Sequence, residues 1–111
     1  METFEYSPKG VCSSKFIFNI DNNKVLDAKI IGGCPGNGLG IISLLKDQEI
    51  DYIIEKLSGI KCGFKNTSCP DQIASALKEY KQKKRFKIIS FIVGYLQLLF
   101  IEELDVLLLL L

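Results

Sequence analysis

The sequence predicts an α+β fold: a three-stranded antiparallel sheet followed by three helices packed on one face (β-β-β-α-α-α). Apolar residues alternate with polar ones up to Ile31, and after Gly33 they recur at the helical spacing of about 3.6. Strands gathered before helices, with no strand–helix alternation, indicate segregated layers and an antiparallel sheet. The expected organisation is one domain over residues 1–84 and an apolar tail, helical in pattern, over 85–111.

A short first strand over Thr3–Tyr6 leads through "SPKGVCSS" into "KFIFNI", where Phe16, Phe18 and Ile20 share one face. "DNNK" at Asp21–Lys24 is turn chemistry, and "VLDAKII" alternates again, so these two strands form a hairpin. Leu39, Ile42 and Leu45 then fit a first helix. Ile50, Ile53, Ile54 and Leu57 fit a second, stopped by Ser58 and Gly59, and Ile73, Ala76, Leu77 and Tyr80 fit a third.

Composition narrows the chemistry. A chain of 111 residues with 48% hydrophobic and 24% charged residues folds as one domain, and at this size a metal or partner commonly supports the small core. The net charge of +1 gives no overall pull toward nucleic acid, so no specific nucleic-acid partner is expected. Basic charge is confined to "KEYKQKKRFK", Lys78–Lys87, which reads as a solvated helix end. The absence of histidine removes Ser-His and Cys-His nucleophile pairs and every zinc site that needs imidazole. No apolar signal region follows the N-terminus, so a cytoplasmic location is expected, and there four cysteines point to metal or thiol chemistry before disulfides.

Those cysteines are Cys12, Cys34, Cys62 and Cys69, separated by 21, 27 and 6 residues, all at loops or element ends. Antiparallel pairing puts the connection holding Cys12 at the sheet end where the third strand delivers Cys34, so the two should be neighbours. "CP" at Cys34-Pro35 and Cys69-Pro70 reads as N-cap followed by first helical residue, beside unsatisfied backbone donors that favour a thiolate. Gln72 and Asp71 are expected to cap that last helix. The leading expectation is one tetrahedral site in which Cys12, Cys34, Cys62 and Cys69 hold zinc, with iron or an iron–sulfur cluster as the alternative. Buried cysteines with no ligand role are the plain alternative. "GGCPGNGLG", Gly32–Gly40, has the setting of a phosphate cradle, but it departs from G-x-G-x-x-G at Ile41 and lacks the Gly-Lys-Ser/Thr of a P-loop.

The motifs "GVCS" at Gly10–Ser13, "GGCPGN" at Gly32–Asn37, "GIKCG" at Gly59–Gly63 and "TSCPD" at Thr67–Asp71 resemble those of the small TSCPD-domain proteins, over residues 3–81. That resemblance implies a link to adenosylcobalamin-dependent ribonucleoside-diphosphate reductases, in which the same domain forms a C-terminal module. A metal-binding accessory module for deoxyribonucleotide and hence DNA synthesis is therefore expected, with a ribonucleotide reductase as protein partner; the chain is too small to be a complete oxidoreductase alone. The element order also resembles iron–sulfur cluster scaffolds of the IscU type, with Cys12, Cys34 and Cys69 at matching sites. Cys62 would be an added ligand, while the scaffold's acidic residue and histidine are missing here, which favours a stable site over a labile one. An iron–sulfur scaffold or carrier is the runner-up, and a thiol-disulfide redox protein using Cys69 is the third reading.

In the tail, the uncharged stretch 88–101 is 14 residues long, against the ~20 that a membrane helix needs. Extending it to Leu111 takes in Glu102, Glu103 and Asp105, whose cost nearly cancels the apolar gain. Membrane contact through residues 88–111, as a tail anchor, is the minor expectation beside a buried or partner-binding helix.

Overall fold

The computed structural model describes residues 1–110, with side chains through Gln97. The chain divides into two compact units, Met1–Tyr80 and the part from Lys81 onward. In chain order the elements are β1 (Glu2–Tyr6), β2 (Ser13–Asp21), β3 (Lys24–Gly32), α1 (Pro35–Leu45), β4 (Gln48–Glu49), α2 (Ile50–Leu57) and α3 (Cys69–Leu110).

The α+β class holds, with one strand more than expected. The sheet is antiparallel throughout, in the order β1-β2-β3-β4. Asn22 and Asn23 both take positive φ, 51° and 63°, so the β2–β3 turn is a two-residue loop of the I′ kind, whose twist matches that of the flanking strands. Strand β4 is short, pairing Gln48 with Val25 and Glu49 with Lys24. It forms because Asp47, at φ 63°, turns the chain out of α1 and donates its N–H to the Val25 carbonyl at 2.7 Å, while the Ile50 N–H reaches Asn23 at 3.0 Å. Two polar residues carry no periodicity, which is why the strand is silent in the sequence.

The core is built from alternate strand residues and the helices' apolar positions. Phe16, Phe18, Ile20 and Val25 are buried with Leu45, Ile50, Ile53, Ile73, Ala76, Leu77 and Tyr80, and Phe4, Tyr6, Ala28 and Ile30 pack against them. Cross-strand register sets Phe4 opposite Phe18 and Tyr6 opposite Phe16. Helix α1 corrects one expected core position. Leu39 is 66% exposed, beside a groove of about 450 Å³ between β3 and α1, and Ile41 packs on the core instead. The cause is that "PGNGLGIISLL" is apolar on several faces and gives no single stripe. Gly38 faces Ile30, where an added Cβ would lie 3.7 Å from the Ile30 Cβ, so this face of α1 approaches β3 closely.

In the second unit α3 continues to Leu110, and Phe86, Phe91, Tyr95 and Leu96 are exposed. Among the described residues no helix is long and apolar enough to cross a membrane. The expected membrane contact through 88–111 falls in large part on side chains outside those described.

Candidate metal centre

Antiparallel pairing decides which cysteines meet. Ser13 on β2 pairs with Gly32 on β3, so Cys12, one residue before β2, stands beside Gly33, one residue after β3. Gly32 and Gly33 both take positive φ, 85° and 72°, a conformation that L side chains rarely adopt. Space imposes glycine at Gly33 as well: an added Cβ would lie 3.1 Å from both Cys12 Sγ and Ser13 Oγ. The two glycines turn the chain sharply off the sheet and hand Cys34 to the start of α1.

Cys34 is the N-cap of α1 with Pro35 following it, as expected, but its sulfur makes no capping hydrogen bond. Its carbonyl accepts the first helical bond, from the Gly38 N–H at 3.0 Å. Cys69 departs from the expectation. The Ser68 carbonyl accepts the Gln72 N–H at 2.8 Å and the Ser68 hydroxyl accepts the Asp71 N–H at 3.2 Å, so Ser68 is the N-cap and Cys69 the first helical residue. A serine in this position competes better than a thiol for the backbone donor, which leaves the Cys69 sulfur for other contacts. Gln72 likewise does not cap its own helix. Its Oε1 accepts the Lys9 N–H at 3.1 Å and its Nε2 donates to Thr67 Oγ1 at 3.0 Å, which ties the β1–β2 connection bearing Cys12 to the head of α3.

That tie brings Cys12 and Cys69 together across 57 positions of sequence, with their sulfurs 3.9 Å apart. The Ser13 hydroxyl lies 3.3 Å from Cys69 Sγ, and Ser13 is buried. Sequence reasoning missed Ser13; a serine at a strand start has no periodic signal, and only its place next to Cys12 hinted at it.

Cys62 sits in a loop closed by its own hydrogen bonds. The Cys62 N–H donates to the Thr67 carbonyl at 3.1 Å, the Lys65 N–H to the Cys62 carbonyl at 3.0 Å, and the Ser68 hydroxyl to the Ile60 carbonyl at 2.6 Å. Asp71 clamps both ends of this loop, accepting from the Gly59 N–H at 2.7 Å and from Thr67 Oγ1 at 2.6 Å. The Thr67 hydroxyl, with the Gly59 N–H, holds the Asp71 carboxyl below the usual carboxylate range. The loop thus returns Cys62 by backbone pairing to Thr67, two residues before Cys69.

All four cysteines are free thiols, with Cys12, Cys34 and Cys62 exposed and Cys69 half-buried. Cys12 and Cys69 are in contact; Cys34 and Cys62 lie on the loops that border the pair. Among the described residues no group of three or more His, Cys, Asp or Glu side chains converges closely enough to hold a metal ion.

The sequence profile of the TSCPD domain matches residues 2–81, most of the chain and all four cysteines. The chain belongs to the TSCPD family. No curated protein and no solved structure matches it. The TSCPD match ends one residue past the first compact unit, Met1–Tyr80.

Proposed function

We propose that this TSCPD protein is a small thiolate metal-binding module in which Cys12, Cys34, Cys62 and Cys69 hold zinc, or iron, in a tetrahedral site. The observation that carries the reading is the 3.9 Å between Cys12 Sγ and Cys69 Sγ. Two thiolates bound about 2.3 Å from one tetrahedral ion stand ~3.8 Å apart, the edge of the tetrahedron. A disulfide, by contrast, requires about 2.05 Å between sulfurs. The pair therefore stands unbonded, at a separation that two ligands of one ion can take.

By type the donors suit such a site, with two of the four sulfurs already in contact. Four sulfurs with no imidazole suit zinc or iron, and a closed four-thiolate site supplies cross-linking and folding energy while leaving no open position for a substrate. The protein's own contribution is positional. Gly33 packs against Cys12 and hands the chain on to Cys34, Gln72 fixes the connection that carries Cys12, and Asp71 closes the loop that carries Cys62. To complete the set, Cys34 and Cys62 would have to move in to the Cys12–Cys69 pair.

A link to deoxyribonucleotide synthesis, with a ribonucleotide reductase as partner, belongs to the same proposal and draws its support from the family resemblance. The deciding experiment is metal and acid-labile sulfide analysis of protein purified without oxygen, alongside the four single Cys→Ser variants. One zinc or iron per chain without sulfide, reduced in every variant, is the expected result. Iron with sulfide would favour the scaffold reading, and metal content unchanged in all four variants would remove the site.

A further inference from the structure

We infer that Cys12 and Cys69 are also a peroxide-sensitive pair, which closes into an intramolecular disulfide and so ejects the metal that the four thiolates hold. Metal release rests on the thiolate-centre reading above; the pairing itself does not.

Contact and access single out this pair. Of the four cysteines, Cys12 and Cys69 are the two whose sulfurs touch, at 3.9 Å. Bond formation requires them to approach to about 2.05 Å, which is less than ~2 Å closer than they stand. Both are anchored on regular elements, Cys12 against β2 and Cys69 at the first residue of α3, with Gln72 holding the two segments together. The Ser13 hydroxyl keeps Cys69 Sγ facing this space, and the missing side chain at Gly33 leaves room around Cys12 Sγ. Cys34 and Cys62 lie on separate loops and have no comparable preorganisation.

Exposure sets the order of events. Cys12 is exposed and Cys69 half-buried, so Cys12 meets the oxidant first. The Cys12 thiolate attacks a hydroperoxide oxygen, the O–O bond breaks, and the remaining oxygen leaves with a proton as alcohol or water. The Cys69 thiolate then attacks the resulting sulfenic sulfur; the S–O bond breaks and hydroxide leaves, taking a proton to become water. The two sulfurs together lose two electrons, and the peroxide is reduced by two. A disulfide carries neither the charge nor the geometry of the two thiolates it replaces, so half of the ligand set is lost in one step.

Trypsin separates the four cysteines into four peptides, Gly10–Lys15, Ile30–Lys46, Cys62–Lys65 and Asn66–Lys78, so the pairing can be read directly by mass spectrometry. The full-length chain, reduced and freed of reductant without oxygen, is treated with one equivalent of hydrogen peroxide, alkylated and digested. The expected result is Gly10–Lys15 joined to Asn66–Lys78, with Cys34 and Cys62 still fully alkylated, and loss of this selectivity when the same reaction is run in urea. The Cys34→Ser/Cys62→Ser double variant should keep the link. A different pairing, or four alkylated cysteines after peroxide, overturns the inference. In a parallel arm the zinc-loaded protein should release zinc as the link appears; a chain that binds neither zinc nor iron yet forms the link would refute the metal reading alone.

Discussion

At Gly33 two constraints meet. The backbone is left-handed, and the space that a Cβ would fill is held by Cys12 Sγ and Ser13 Oγ. Gly33→Ala should therefore cost about 1–3 kcal/mol of stability and, if the proposed site holds, also weaken metal retention, since it pushes on the Cys12 sulfur. Urea unfolding checks the first effect as a lower midpoint with unchanged slope, and metal content checks the second. A variant as stable as the parent would mean that the turn out of β3 can relax. Other residues near the cysteines show how little of such a site is written in local patterns. "TSCPD" does open a helix, as its Cys-Pro pair indicates, yet the cap is Ser68, because a hydroxyl binds the Asp71 N–H more strongly than a thiol. Asp71 and Gln72 read as helix-capping residues; in the fold both also bind the nearby Thr67, while Asp71 reaches Gly59 and Gln72 reaches Lys9, partners whose distance in sequence no spacing rule anticipates.

Among the elements, β2 and α2 were legible because one side of each is consistently apolar. Phe16, Phe18 and Ile20 alternate and are buried, and Ile50 and Ile53 recur at helical spacing and are buried as well. Strand β4 escaped because two residues define no period, and the exposure of Leu39 on α1 was obscured by apolar residues around much of that helix. The start of α3 is held to the sheet edge by the Tyr80 hydroxyl, which donates to Glu2 Oε2 at 2.9 Å, and by the ring contact of Tyr80 with Phe4 at 5.5 Å. Burial, reinforced by the Glu2 carboxylate, pushes the Tyr80 phenol up from 10.0 to about 12. The folded state thus keeps a proton that the unfolded chain gives up. This contribution to stability is complete below pH 10 and is lost as pH rises through 10 toward 12. Thermal unfolding followed across that range should show stability falling, with a shallower fall in Tyr80→Phe; equal slopes would remove Tyr80 as the cause.

For the whole molecule, the arrangement of strands before helices is what makes a thiolate centre possible. A β2–β3 hairpin sends Cys12 and Gly33 to the same end of the sheet, and α3 returns to that end with Cys69 at its head. The neighbourhood of Cys12 and the Cys34 segment was legible from antiparallel pairing alone. The Cys12–Cys69 contact was not, because it depends on Gln72 and on where α3 docks. On the proposed reading, a metal cross-link would join β2, α1, the 59–68 loop and α3, four segments far apart in sequence, and so support a small core of this size.

X-ray absorption at the edge of the metal that the full-length protein retains after purification without oxygen tests this most directly. Four sulfur neighbours at about 2.3 Å and no light-atom neighbour are expected around the metal. A shell of oxygen or nitrogen, or only two sulfurs, would contradict a site closed by Cys12, Cys34, Cys62 and Cys69.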